Sequence, residues 1–323
     1  MSGTRLLLTP DSVSAASPRQ EKCKTRQRKK IMLIIDTPYN TTSKLQNLAK
    51  ENVQTIIRYY NFSNSRSFPE KCLTLMEAQS ICAQGMNIAV VFQQRQNCAD
   101  DFSEIKGYEA GRRAYRYALN DIGQPAGSGI YFSVDFDATT TEITQHIAPY
   151  FQGVQRAFNE ISGGQPAYRV GVYGSGATAS ALTKNNLCAL VWLAMSSGFR
   201  GTKEAIKNGA YDIEQKAPEA KLGGLAIDYN LSNPQHSDFG AFVLPVETSS
   251  VAMAHLAATH EVISRTRLRL RGGPGTEYSV LGSLLPRQSV VAKPVNTEWS
   301  SIDLQGDGLI DGFAASAFLK ELA

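Results

Sequence analysis

No apolar run in this chain approaches the ~20 residues that cross a bilayer; IAVVF at 88–92 is typical of its longest, so no membrane-spanning helix is expected. Cysteine is scarce. The five are odd in number and none stand as Cys-x-x-Cys, which excludes a disulfide scaffold and the common zinc sites. Cys72 and Cys98 both fall in loops after expected strands, which leaves a single disulfide between them open; the others read as core thiols. The four histidines never pair at helical spacing, so the familiar metalloprotease helix is missing, and neither a metal nor another cofactor is expected.

An excess of one charge is also missing from most of the chain. The formal net charge of +4 is outweighed by +6 in residues 1–30, where Arg5, Arg19, Lys22, Lys24, Arg26, Arg28, Lys29 and Lys30 face only Asp11 and Glu21. The remainder is slightly acidic, which argues against a nucleic-acid footprint there. The first 30 residues read as a solvated basic arm, with contact to an anionic surface or a delivery signal as the alternative. RLLL at 5–8 is too short for the apolar core of a secretory signal peptide, and the basic cluster follows it. The expectation is synthesis in the cytoplasm without such a signal, and action in the periplasm or at the cell wall after export by another route.

What is present is an alternation. Short apolar runs at 31–36, 55–60, 87–93, 129–137, 168–174, 188–196, 211–215 and 224–230 read as strands. Between them, 42–53, 74–85, 107–123, 141–161, 177–185 and 202–209 carry apolar residues at helical spacing, with Gly85 and Gly123 placed as helix stops. Eight buried strands alternating with helices predict an α/β fold, a parallel (β/α)₈ TIM-type barrel over residues 31–245, with an open doubly wound sheet as the alternative. After a mixed linker at 246–257, residues 258–323 show short β runs broken by Gly and Pro, the pattern of a small all-β barrel.

Carboxylates favour the closed barrel, because Asp36, Asp135, Asp137 and Asp228 fall at the ends of the first, fourth and eighth strands, where barrel enzymes build their sites. Asp135 and Asp137 stand two apart, so on one strand they share a face, and mutual repulsion would hold one protonated and leave the other ionised. That division suits glycoside hydrolysis. The structural alternative is that one of them caps the next helix or pairs with Arg58, and that Asp36 is only a helix cap. Around these acids Tyr59, Gln93, Tyr173, Trp192 and Gln215 end or line strands, an aromatic and amide set suited to sugar faces and hydroxyls, although each aromatic alone could be core. GSGATA at 174–179 has the glycine spacing of a dinucleotide loop, but no acid occurs from 162 to 203 to hold a ribose. DLQGDGLIDG at 303–312 lacks calcium-loop spacing and reads as a hairpin turn.

IIDTPYN, IIRYYNFS, GIYFSVDFD, VGVYGSG and GLAIDYNLSN together resemble a glycoside-hydrolase-like TIM-barrel family distantly similar to the family 25 lysozymes. TRLRLRGGPGTEYSVLGSLLPRQSV is similar to the bacterial SH3-like repeat, in which Leu268 to Pro274 would open the domain. The resemblance implies peptidoglycan or a related amino-sugar polymer as the partner and cleavage of its β-1,4 bonds. It aligns Asp135 and Asp137 with the lysozyme Asp-x-Glu, giving Asp137 the acid role with Asp in place of Glu, and makes Asp36 and Asp228 substrate-facing. The expected function is a muramidase-like hydrolase acting as a lysin or a delivered antibacterial effector, with secretion machinery or an immunity protein as further partners. A catalytically silent glycan-binding protein is the alternative.

Overall fold

The computed structural model describes residues 1, 33–236, 238–244, 256–278, 280–304, 306 and 310–322. The expected basic arm and most of the expected linker lie outside the described residues. Eight strands close a barrel in sequence order: β1 (Leu33–Asp36), β2 (Val53–Tyr60), β3 (Asn87–Phe92), β4 (Gly129–Ser133), β5 (Arg169–Gly174), β6 (Leu190–Leu193), β7 (Ile213–Leu222) and β8 (Leu225–Ser232). The α-helices between them are α1 (Leu45–Lys50), α2 (Leu75–Ala83), α3 (Glu104–Arg116), α4 (Thr140–Glu142), α5 (Ala148–Ser162), α6 (Gly176–Lys184) and α7 (Thr202–Asn208).

The period of two along each strand sorts side chains between two cores. In β3, Ile88, Val90 and Phe92 join the layer beneath the helices, while Ala89 and Val91 join the barrel interior with Ile57, Tyr131 and Trp192. Both faces are buried, which explains the unbroken apolar runs. Helix limits follow local chemistry: Thr74, Ser103 and Ser175 cap α2, α3 and α6 by accepting from the third residue on. After α3 the chain continues as a π-helical stretch, Tyr117–Ile122, until Gly123 at φ 69° stops it.

One expectation is corrected. The barrel is not wholly parallel, because β8 runs antiparallel to both β7 and β1. β7 and β8 are joined by Gly223 and Gly224 at φ 59° and 86°, a two-residue turn with positive φ at both positions that reverses the chain and gives no room for a crossover. The fourth strand is also shorter than expected, ending at Ser133 instead of 137.

Outside the barrel, Arg58 on β2 and Glu77 on α2 form a fully buried ion pair, Nε to Oε1 2.8 Å. Arg58 also donates to the carbonyls of Thr37 (2.7 Å) and Glu70 (2.9 Å), and Glu77 accepts from the backbone and hydroxyl of Thr41 (2.8 and 2.9 Å). The pair therefore fastens the loops that follow β1 and β2. It is Glu77, not Asp135 or Asp137, that Arg58 meets.

The C-terminal residues form a separate antiparallel sheet of β9 (His260–Val262), β10 (Leu268–Arg271), β11 (Val280–Leu284), β12 (Ser289–Pro294), β13 (Trp299–Asp303), β14 (Gly312–Ala315) and β15 (Leu319–Glu321). Residues 303–312 connect the paired strands β13 and β14, as the hairpin expectation required, although 305 and 307–309 lie outside the described residues. The sheet meets α3 closely: the Arg112 guanidinium lies 4.6 Å from the centre of the Phe313 ring, and a Cβ on Gly272 would come within 2.8 Å of Glu109 Cδ. On its other side α3 packs backbone to backbone on α5, since Cβ atoms on Gly107 and Gly153 would meet Tyr150 O at 1.8 Å and Glu104 O at 2.1 Å.

Cys72, Cys82, Cys98 and Cys188 are free thiols, so the Cys72–Cys98 bridge left open by the sequence is not formed. Among the described residues no helix is long and apolar enough to cross a membrane. Removing one partner of the Arg58–Glu77 pair strands a buried charge. Arg58→Met should cost about 3–5 kcal/mol in urea unfolding, and Glu77→Gln added to it should restore a large part of that loss.

Candidate active site

The inward rows of the strands end at a cavity of about 270 Å³ lined by Tyr59, Val91, Gln93, Ser133, Asp135, Tyr173, Trp192, Met195, Gln215, Glu219 and Asp228. Seven of the nine residues expected from sequence lie on its wall. Asp36 sits directly beneath, 1% exposed.

Asp36 is the centre of the floor. Its Oδ2 accepts from Asn230 Nδ2 (2.8 Å) and Gln215 Nε2 (3.0 Å), and its Oδ1 from Tyr59 OH (3.2 Å). The amides are oriented from behind. Trp192 Nε1, which can only donate, reaches Asn230 Oδ1 at 2.8 Å and so turns the amide nitrogen toward Asp36. Tyr173 OH donates to Gln215 Oε1 at 2.7 Å and does the same for Gln215. Trp192, 1% exposed and edge-on to Tyr173 at 4.6 Å, is thus floor rather than an open stacking platform.

Gln215 Nε2 also reaches Asp228 Oδ2 at 3.2 Å, so one amide nitrogen bridges two carboxylates whose oxygens are at most about 6 Å apart. Asp36 and Asp228 are paired in register across β1 and β8. Burial pushes Asp36 up from its usual 3.8 to about 7, with the Asp228 charge adding to the rise and the three donors opposing it. Partial burial, then repulsion from Glu219, raises Asp228 to about 6. The other oxygen of Asp228, Oδ1, is buried with no hydrogen-bond partner among the described residues.

Asp135 belongs to a second group at the rim. It continues the inward row of Tyr131 and Ser133, and its backbone N–H donates to the Gln96 carbonyl at 2.8 Å. Gln93 Nε2 bonds Asp135 Oδ2 (3.2 Å) and Ser133 Oγ (3.3 Å), while Gln93 Oε1 accepts from Lys71 Nζ (2.9 Å). Burial against the cleft wall raises the Asp135 carboxyl above its ordinary value, and Gln93 and Lys71 limit the rise. Lys71, 4.6 Å above the Tyr59 ring, is lowered to about 8 by burial against the pull of Asp135.

Asp137 is not in the cavity. The strand ends at Ser133, and a tight bond from Ala138 N to Phe136 O (3.0 Å) turns the chain, so the period of two no longer holds at 137. Asp137 instead pairs with Arg200, Oδ2 to NH1 2.9 Å, and accepts from the Arg200 backbone at 2.8 Å. The shared face expected for Asp135 and Asp137 is therefore replaced by an Asp36–Asp228 floor with Asp135 at the rim. Asn230 was missed by sequence reasoning although it lies two residues beyond Asp228 on the same strand face. Lys71, Ser133 and Glu219 were missed too, and Lys71 and Glu219 carry no periodic signal.

A family model described as Rv2525c-like, glycoside hydrolase-like domain matches residues 46–237, more than half of the chain. The chain is 32% identical over 170 residues to YbfG of Bacillus subtilis and 24% identical over 162 residues to FadG of the same organism. Each match takes in 50% of this chain but only 22% and 27% of those proteins. The crystal structure of the Tat-secreted protein Rv2525c of Mycobacterium tuberculosis, in complex with L-tartrate, superposes with TM-score 0.52 and 20% identity over 65% of this chain and 97% of that one. It shares the fold.

The Asp36 proton gives a test of the floor. Between pH 3.8 and about 7 the folded chain keeps a proton that the unfolded chain releases, so this group favours folding less as pH rises through that window. Urea midpoints of the parent chain measured against Asp36→Asn should fall steadily over the window and level off above it. A flat difference would mean that folding leaves the Asp36 carboxyl at its ordinary value.

Proposed function

We propose, for a chain that belongs to the Rv2525c-like, glycoside hydrolase-like family, that the cavity hydrolyses β-1,4 bonds between amino sugars of peptidoglycan or a related polymer. The observation that carries this reading is the grouping of Asp135 at the rim and Asp228 on the wall of one concave cleft, with Asp36 beneath and Tyr59 and Tyr173 beside them. Glycoside hydrolysis needs one carboxyl that can give a proton and a second carboxylate that meets positive charge at the sugar ring.

Asp135, held by Gln93 and open to the cleft, gives the proton to the leaving oxygen. Its raised carboxyl keeps more of the acid form available near neutral pH. Asp228, on the cavity wall with Oδ2 held by Gln215, supplies the negative charge that stabilises an oxocarbenium ion at the sugar ring. Asp36 shares the local charge with Asp228: two carboxylates this close hold a proton between them more readily than either would alone. Asp137 is assigned no proton transfer, because Arg200 engages both of its oxygens. Tyr59, Gln93, Tyr173 and Gln215 position the sugar, and Trp192 acts through Asn230. The reaction is placed beyond the cytoplasm, a reading helped by the Tat-secreted protein of the same fold. The C-terminal sheet is assigned the wall-binding role of a bacterial SH3-like module.

The ion pair that occupies Asp137 favours one second reading, a glycan-binding protein that keeps the cleft without hydrolysis. Incubation with peptidoglycan sacculi, followed by mass spectrometry for new reducing-end muropeptides, separates the two. Asp135→Asn and Asp228→Asn should each lower product release by about 100-fold or more, while Asp137→Asn should stay within about 10-fold of the parent. Pelleting with sacculi and no product from the parent chain would leave the binder.

A further inference from the structure

The hairpin of β7 and β8 brings one more carboxylate to the cleft. Glu219 lines the candidate active site together with Asp228. A break in the ladder sets it there: Lys216 pairs with Tyr229 and Ala220 with Ile227, so Ala217, Pro218 and Glu219 together stand opposite Asp228 alone. A bulge takes residues out of a ladder and re-aims a side chain, and Pro218 has no N–H to give the ladder in any case.

The hairpin is fixed, but the carboxylate is not. A Cβ on Gly223, at the turn, would come within 3.2 Å of Asn47 Cβ and 3.3 Å of Leu48 Cδ2, which seats the tip of the hairpin on α1. Leu225 and Ile227 are buried in the layer beneath the helices. Glu219 itself is exposed and makes no hydrogen bond or ion pair among the described residues. Lys216, on the same strand, is engaged by Glu214. The other carboxylates of the cleft are committed: Asp36 is buried under three donors, Asp228 has Oδ1 buried and Oδ2 held by Gln215, and Asp135 is held by Gln93. Asp135 follows β4 while Glu219 belongs to the β7–β8 pair, about halfway round a closed ring of eight strands, so the two line opposite sides of the cleft.

We propose that Glu219 is the catalytic base of the hydrolysis and takes a proton from the attacking water. This rests on the hydrolase reading above. Asp135 gives its proton to the leaving oxygen as the glycosidic bond breaks. The water oxygen bonds to the anomeric carbon from the opposite side, and the proton it sheds passes to a Glu219 oxygen, so the cycle ends with Asp135 ionised and Glu219 protonated. A group that itself bonds to carbon has to be fixed against it, and nothing fixes the oxygens of Glu219; a base that works through one water needs only reach. Attack by water on the side away from the acid inverts the anomeric carbon, and a β-1,4 bond then gives an α product.

Soluble peptidoglycan glycan strands stripped of their peptides are the substrate for the test. Glu219→Gln should lower kcat by about 100-fold or more with KM within about 3-fold of the parent, and the urea midpoint should not move, as befits an exposed side chain. Sodium azide should raise the rate of Glu219→Ala by at least about 10-fold and release the α-glycosyl azide, because azide attacks carbon without shedding a proton and makes the base unnecessary. Proton NMR of the parent's product, recorded before mutarotation, should show the α anomer first. Glu219→Gln within about 3-fold of the parent kcat, a loss in Glu219→Ala that azide does not relieve, or a β anomer appearing first would each overturn the proposal and leave the hydrolase reading standing. A parent chain that forms no new reducing ends would overturn both.

Discussion

A carboxyl group sealed from water needs partners, and the burial of Asp36 is the constraint around which this barrel is arranged. Its three donors come from β2, β7 and β8, and two of those are oriented by residues on β5 and β6. Five of the eight strands are therefore committed to one side chain. The reversed β8 is part of the same requirement, since its antiparallel pairing sets Asp228 opposite Asp36 and leaves Asn230 one step below it. A site of this kind is rigid because any rotation of one amide would turn a hydrogen toward a hydrogen or a lone pair toward a lone pair.

Much of the fold was legible because both of its periods are plain in the residues. Runs such as NIAVVF are buried on two faces, and Gly85 and Gly123 at φ 75° and 69° stop helices where they were expected to. The reversal of β8 was also readable in principle: only a few residues separate the seventh and eighth runs, too few for a parallel crossover, and Gly223–Gly224 is a hairpin turn.

The site was legible to the extent that strand periodicity held. Asp36, Tyr59, Asp135, Tyr173, Trp192, Gln215 and Asp228 gather where the inward rows end. Asp137 departs because it lies four residues beyond the last ladder pair, past a turn where the period of two no longer holds. Lys71 could not be found that way, for it arrives from a loop and acts through Gln93. The buried Arg58–Glu77 pair shows the complementary case, in which a charged residue within an apolar run belongs to the helix layer and secures loops rather than chemistry.

The glycine contacts between α3 and α5 bear on how the two halves of the described chain move. Helices separated by side chains can slide by an ångström or so as rotamers change; helices in backbone contact have no such slack. α3 also carries the C-terminal sheet, so the sheet is mounted on a helix without that slack. With α3 seated on α5 in this way, a displacement of either helix is passed on to the sheet instead of being absorbed by intervening side chains.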